Sequence, residues 1–404
     1  MDRISEKAAP QKAESKTETG RKPKVVFTFV EAGMGHIIPM TGMYESFRKK
    51  YGDRCEVVKS NIFSDSAYES VRKMGEKLSG HTKKTASNRL YNRFEAFSYL
   101  LPSKITLAGL DAYFRKPIKD FLKEYSANPP DILVASYYLP AHLAIKANEK
   151  GLANAKIVTY TPDPYIYPAW DRKSDIYIVN NETAEKQALK KGFKKDRVKR
   201  VPFIFKAEVT GCTVEKDAAR KELGLSGGFT VLFTSGAYGA KNTYRLMRKI
   251  RNVTRPITLV VICGKNRETQ ETVASIFAEK PSNVTLKIIG FTERMADYMR
   301  AADLIIGKAG MNTIMESVYL GCPMIINAEA NALEEHITKF SEKEKICLRE
   351  KNPDRIVGII DKCAGGEDLF SECRKNFAKF HDPTGADESA DIIYGLLKEK
   401  FPNV

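Results

Sequence analysis

The chain has one tryptophan and five histidines in 404 residues, and its seven cysteines include no Cys-x-x-Cys pair. Cys55, Cys212, Cys263, Cys322, Cys347, Cys363 and Cys373 are scattered and odd in number, which excludes a disulfide framework or a structural zinc knuckle as the organising device. The histidines stand apart, so we expect no metal site. Reduced, mostly buried thiols fit a cytosolic protein. No stretch of about 18 uninterrupted apolar residues exists, and with it goes the candidate for a transmembrane helix. The dinucleotide fingerprint Gly-x-Gly-x-x-Gly is also missing after the first strand: Gly33 and Gly35 are followed by His36 and Ile37, and the next glycine is Gly42. Residues 1–23 are rich in Lys, Glu, Ser and Thr without an apolar core. They read as a disordered tail, not a signal peptide.

Positive charge is what the chain has in excess. Its net charge of +16 implies an anionic partner, whether nucleic acid, a phospholipid surface or a phosphorylated substrate. The excess is local: Glu69–Lys123 holds twelve Lys/Arg against five Asp/Glu, and Lys186–Lys206 nine against one. Within the first cluster Leu90, Phe94, Phe97 and Leu101 fall on one helical face. Such a face suits an interfacial helix on an anionic bilayer, or equally a helix buried in its own domain. No nucleic-acid recognition motif has the right spacing.

Length and a hydrophobic fraction of 43% allow two globular domains, each with its own core. The apolar runs predict strands at Lys24–Val30, Cys55–Phe63, Pro129–Tyr137, Lys156–Tyr160, Ile176–Asn180 and Lys199–Phe203. A second series follows at Phe229–Thr234, Ile257–Cys263, Val284–Ile289, Leu304–Ile306, Met324–Ile326 and Lys345–Leu348. Both series begin with a strand, a glycine turn and a helix. In doubly wound folds that turn is where ligands bind. In the first turn His36, beyond Gly33 and Gly35, is a candidate general base, with a helix-capping histidine as the competing explanation. Asp163, between two prolines after the Lys156–Tyr160 strand, can orient or assist it, or simply form the turn.

The second half holds the densest pattern. Leu304–Ile306 is broken by Gly307-Lys-Ala-Gly310, after which Asn312 or Thr313 can cap a helix through Tyr319. A glycine turn and a helix N-terminus present unpaired N–H groups to one point, an anion site most simply for phosphate, or equally the punctuation only folds an α/β unit. Glu316, one turn in, can accept hydrogen bonds from ribose hydroxyls; Glu334 can accept them from the hydroxyls of a sugar, or equally serve as a first-turn carboxylate favourable to its helix dipole. Gly236 and Gly239 permit close backbone approach to a phosphate, with Lys241 supplying charge.

These residues resemble a known family. Gly33-Met-Gly35-His36 is similar to the loop that opens the lipid-acceptor glycosyltransferases of the GT-B fold: the monogalactosyldiacylglycerol synthases, the processive diacylglycerol glucosyltransferases and, further off, the N-acetylglucosaminyltransferase of peptidoglycan lipid II synthesis. Val260-Val-Ile-Cys-Gly-Lys-Asn266, Ile289-Gly-Phe-Thr-Glu-Arg-Met295 and Gly307-Lys-Ala-Gly-x-x-Thr-Ile-x-Glu316 with Gly321-x-Pro323 follow that family in order and spacing. The resemblance implies an α/β chain of two Rossmann-like, doubly wound domains facing across a cleft. They would occupy residues 24–206 (acceptor and membrane side) and 229–385 (nucleotide sugar), joined by a linker at 207–228. Residues 386–404 would form a C-terminal helix able to return to the first domain.

The resemblance further implies a hexosyltransferase, cytoplasmic and peripheral at an anionic membrane surface. It would move a sugar from a UDP-linked donor, as co-substrate and without cofactor or metal, to a diacylglycerol-type lipid with inversion. Gly310, Met311, Asn312 and Thr313, with Gly236 and Gly239, would cradle the diphosphate. Glu316 would hold the ribose, and Ile289 to Thr292, including Phe291, would border the uracil. His36 would stand near the attacking hydroxyl. Three departures stand out. Asn331-Ala-Leu333-Glu334 replaces Pro-Gly-Gln-Glu, Met34 replaces a glycine, and Tyr167 stands where several relatives have His. Transfer to a lipid-linked peptidoglycan precursor or a non-lipid acceptor, and a non-catalytic nucleotide-sugar-binding protein, are the alternatives.

Overall fold

The computed structural model describes residues 21–31, 33–85, 101–225, 228–234, 243–278, 282–329 and 331–404. Leu90, Phe94 and Phe97 of the expected apolar stripe, and the loop holding Gly236, Gly239 and Lys241, lie outside them.

In the first half β1 (Lys24–Thr28), α1 (Met34–Tyr51), β2 (Glu56–Ser60), α2 (Glu69–Thr85), α3 (Ser103–Tyr113) and α4 (Arg115–Ala127) come first. Then come β3 (Ile132–Ala135), α5 (Tyr138–Glu149), β4 (Lys156–Tyr160), β5 (Ile176–Val179), α6 (Glu182–Lys190) and β6 (Val198–Arg200). The second half opens with α7 (Ala207–Thr210), α8 (Lys216–Glu222), β7 (Phe229–Thr234), α9 (Thr243–Ile250), β8 (Ile257–Ile262) and α10 (Arg267–Ala278). It continues with β9 (Val284–Ile289), α11 (Met295–Ala301), β10 (Leu304–Lys308), α12 (Met311–Tyr319), β11 (Met324–Ala328) and α13 (Ala332–Lys343). It closes with β12 (Leu348–Arg349), α14 (Pro353–Ala364), α15 (Ser371–Phe377), a 3-10 turn and α16 (Gly385–Lys400).

The strands form two six-stranded sheets, β2-β1-β3-β4-β5-β6 and β12-β11-β10-β7-β8-β9. Every pairing is parallel. That is why the apolar runs are continuous instead of alternating: helices cover both faces. Val25 and Phe27 pack on Met40, Met43 and Phe47 of α1, while Val26 and Leu133 face Phe63, Phe121 and Leu139 on the other side. Each such fully buried side chain stabilises the fold by about 1.5–3 kcal/mol. In each sheet the winding reverses once, between β1 and β3 and between β7 and β10, leaving a crevice at the carboxyl ends of those strand pairs.

Two expectations change. Residues 207–228 carry α7 and α8, whose Val209 and Ala219 are buried in the second half's core with Met299 and Ala301. The weak periodicity reflects helices too short to show it. Lys345, expected in the last strand, has φ 55 and ends α13, so β12 begins only at Leu348.

The chain crosses between the halves at Val201–Lys206 and again ahead of α16. This last helix lies against α1: the Tyr51 and Tyr394 rings stack at 3.9 Å, and Tyr51 Oη donates to Asp391 at 2.6 Å. The two crossings touch. A Cβ on Gly385 would stand 2.1 Å from the Pro202 carbonyl oxygen, so only glycine fits. Gly385→Ala is expected to destabilise by about 1–3 kcal/mol or more in thermal denaturation. Gly395→Ala, in the same helix with no atom within 4 Å of the new Cβ, is expected to be neutral or to stabilise by up to about 1 kcal/mol. Equal effects from the two would refute this account of the crossing.

Candidate active site

The reversal between β1 and β3 puts the first helix's N-terminus beside the end of β3, and that contact fixes His36. Gly33, with φ 113, makes the turn into α1 in a backbone region that glycine favours. The His36 ring then lies against the backbone after β3, with Nδ1 at 2.6 Å from the Ser136 carbonyl oxygen. A carbonyl only accepts, so Nδ1 carries the proton and Nε2 keeps its lone pair. Ser136 Oγ returns a bond to the His36 carbonyl at 2.9 Å, and the Tyr137 ring meets the imidazole edge-on at 5.1 Å. Burial pushes the imidazole down from its usual 6.5 to about 4, against the stabilising Ser136 bond. At neutral pH it is an unprotonated base with one nitrogen already committed. A Cβ on Gly35 would meet nothing within 4 Å, so that side of the turn is open.

The orienting role expected of Asp163 belongs instead to the Ser136 carbonyl. Asp163 makes no hydrogen bond to His36 among the described residues. It sits on the turn after β4, which Asn180 staples through bonds from Nδ2 to the carbonyls of Thr161 (3.3 Å) and Pro162 (2.9 Å). Burial raises its carboxyl to about 7. Ser136 and Asn180 were missed because one acts through its backbone and the other is a buried amide, and neither carries a motif. A run of aromatics extends from the base: Tyr137 stacks on Tyr138 at 4.4 Å, and Tyr138 meets Tyr167 at 5.3 Å and Trp170 at 6.4 Å.

The second crevice lies at the ends of β7 and β10. A register shift at Gly307/Lys308 ends β10, and a Cβ on Gly307 would meet Thr234 Oγ1 at 2.8 Å, so the strand end packs closely. Gly310, not Asn312 or Thr313, occupies the N-cap of α12, and no side chain caps the helix. The N–H groups of Met311, Asn312 and Thr313 are therefore first-turn donors without intrahelical acceptors. Met311 is buried, leaving its backbone alone to face a ligand.

Two lysines stand near this turn, each paired with a buried acid. Lys308 Nζ bonds Glu334, whose own N–H is capped by Asn331 Oδ1 at 3.0 Å. Lys206 Nζ lies 3.8 Å from Glu316 Oε1. Neither lysine was singled out by sequence, because each lay inside an unremarkable basic or strand segment. Phe291, expected beside a base, is 66% exposed, with Lys265 Nζ 5.4 Å from its ring centre. Thr292 accepts from the Arg294 N–H at 3.0 Å through Oγ1. No cluster of three or more His, Cys, Asp or Glu able to hold a metal occurs among the described residues.

The halves meet over these two crevices. The Asn312 amide donates to the Met34 carbonyl at 3.3 Å, and the rings of Tyr165 and His336 lie 4.9 Å apart. Lys343 Nζ donates to Thr183 Oγ1 at 3.2 Å.

Burial raises the Glu316 carboxyl from 4.5 to about 7, opposed by Lys206 and aided by Glu208. Both folded and unfolded forms hold the proton below pH 4.5. Above it the unfolded carboxyl ionises first, so the folded state loses stability as pH rises through about 7. Glu316→Gln removes that cost, which is at most about 3 kcal/mol. The variant is expected to melt above the parent at pH 8 and together with it near pH 4.5; an equal difference at both values would overturn the assignment.

Comparison with known proteins agrees with this architecture. Residues 38–201 match the family model for monogalactosyldiacylglycerol (MGDG) synthase, and residues 230–381 match the glycosyltransferase family 28 C-terminal domain. Monogalactosyldiacylglycerol synthase 2, chloroplastic, of Arabidopsis thaliana is 25% identical over 95% of this chain and 82% of its own length. Among solved structures, MurG of Acinetobacter baumannii superposes with a TM-score of 0.60 at 14% identity, covering 92% of this chain and 100% of that one. Anabaena HepE in complex with UDP gives 0.52 at 14%, covering 93% and 100%. Two doubly wound sheets, with a histidine at one reversal and a helix N-terminus at the other, thus carry the two family signatures in order, and the chain is a glycosyltransferase of the GT-B fold that is similar to the monogalactosyldiacylglycerol synthases along both halves.

Proposed function

We propose that this protein transfers a hexose from a UDP-sugar to a diacylglycerol-type lipid, with inversion and without a metal ion, at an anionic membrane surface. The observation that carries the reading is His36, tied by Nδ1 to the Ser136 carbonyl so that only Nε2 is left to take a proton. Two residues before it, Met34 meets Asn312 of α12, whose first-turn N–H groups have no intrahelical acceptors. The relatives named as monogalactosyldiacylglycerol synthases and the UDP bound to HepE support the choice of substrates.

The acceptor hydroxyl oxygen attacks C1 of the donor sugar, and its proton passes to His36 Nε2. The bond from C1 to the β-phosphate oxygen breaks, and the electron pair leaves with UDP. Base and leaving group act from opposite sides of the sugar, so one displacement inverts the anomeric carbon. The negative charge on the departing diphosphate meets the Met311, Asn312 and Thr313 N–H groups and the positive end of the helix dipole, with Lys206 and Lys308 nearby. Glu316 takes the ribose, Glu334 lies on the sugar side, and Phe291 and Thr292 border the base. Gly236 and Gly239 complete the cradle, and Asp163 shapes the acceptor side.

Helix α3 supports the membrane assignment. Ile105, Ala108, Gly109, Ala112 and Tyr113 are all exposed, at the spacing of one helical face. Exposed Lys104, Arg115, Lys116 and Lys119 flank it, and Lys77 Nζ lies 5.6 Å from the Tyr113 ring centre. An apolar face with a basic border suits shallow insertion among anionic headgroups. No helix among the described residues is long and apolar enough to cross a bilayer.

His36→Ala is expected to lower the rate of UDP release from UDP-galactose or UDP-glucose with diacylglycerol vesicles by about 10²–10⁴ while sparing donor binding. With His36 as base, kcat/KM is lost only as pH falls towards about 4; an acid limb near 7 would move the role to Asp163. Flotation with vesicles containing phosphatidylglycerol is expected to be salt-sensitive and to weaken in Ile105→Asp. Binding indifferent to both would rule out the α3 face.

A further inference from the structure

The hydrogen bond from Asn312 Nδ2 to the Met34 carbonyl, 3.3 Å long, runs from the first turn of α12 in one half to the turn before the base in the other. Because a carbonyl only accepts, the NH₂ group must face Met34 and the amide oxygen must point away. That Oδ1 is sealed from solvent and has no hydrogen-bond partner among the described residues. A buried carbonyl oxygen that no described residue serves is placed to accept from a donor on a bound ligand.

The receiving end is loosely held by its own half. Met34 is 54% exposed, and its neighbours Gly33 and Gly35 each have open space where a Cβ would be. The His36 N–H makes only a long bond, 3.5 Å, to the Gly33 carbonyl. The imidazole is anchored through Ser136, but the turn leading to it takes an anchor from the opposite half.

We infer that Asn312 is a positioning residue: its Nδ2 holds the Gly33–His36 turn through Met34, and its Oδ1 accepts from a hydroxyl of the transferred hexose. This rests on the functional reading above, which uses the backbone N–H of Asn312 for the diphosphate and leaves the side chain unassigned. A hexose attached to a diphosphate at the α12 N-terminus occupies the space between that helix and His36. Its hydroxyls are the donors assigned to Oδ1. Filling the donor subsite then locks the amide and, through it, the turn that carries the base.

The test compares the parent with Asn312→Ala and with Asn312→Asp, which keeps an acceptor and loses the NH₂. Calorimetry with UDP and with UDP-galactose or UDP-glucose, steady-state kinetics, and hydrogen exchange at residues 33–37 are measured on each. Asn312→Ala is expected to bind UDP within about twofold of the parent, Asn312→Asp more weakly because its carboxylate repels the diphosphate, and both to lose about 10–100-fold in kcat, the effect of one buried hydrogen bond. Only Asn312→Ala is expected to lose the extra affinity for UDP-hexose over UDP. The parent is expected to gain exchange protection at 33–37 on binding UDP-hexose, and Asn312→Ala to gain none. Unchanged kcat, protection that persists in Asn312→Ala, or an equal loss of UDP and UDP-hexose affinity in Asn312→Ala would each overturn the proposal while leaving the transferase reading intact. A parent protein that binds neither nucleotide would sink both.

Discussion

A parallel sheet wound in both directions has to reverse once, and at the reversal the connections leave neighbouring strands in opposite directions. The gap they leave cannot be filled by the sheet's own helices. Here each gap is furnished differently. Between β1 and β3 it holds an imidazole pinned by a main-chain carbonyl; between β7 and β10 it holds the uncapped start of α12. Because the pin is a backbone group on a buried strand end, the base is oriented by the same hydrogen-bonding geometry that holds the sheet together.

Burial sets the charge states around this frame. His36 is kept neutral by burial, while Asp163 and Glu316 are pushed up towards neutrality for the same reason. Lysines and acids near the start of α12 are paired, Lys308 with Glu334 and Lys206 with Glu316. On the reading proposed above, a diphosphate at the start of α12 would compete for those lysines, and a ribose hydroxyl would meet Glu316.

Much of this was legible in the residues. Continuous apolar runs give away buried parallel strands, and the glycine turns after Val30 and Ile306 marked both reversals. What stayed hidden has physical reasons. The role of Ser136 is played by a carbonyl that every residue owns. Lys206 and Lys308 look like ordinary members of basic or strand segments until folding sets them near buried acids. Asn312 reads as a helix cap by composition, yet Gly310 takes that position and frees the amide to reach the other half. The short helices α7 and α8 gave too few turns for a period to emerge.

The contact of Gly385 with Pro202 gives the molecule its mechanics. Both covalent passages between the halves run through one corner, so the pair behaves like a clamshell with a single pivot and one soft angular coordinate. Everything far from that corner moves on a long lever, and a rotation too small to disturb either core is enough to part Asn312 from Met34.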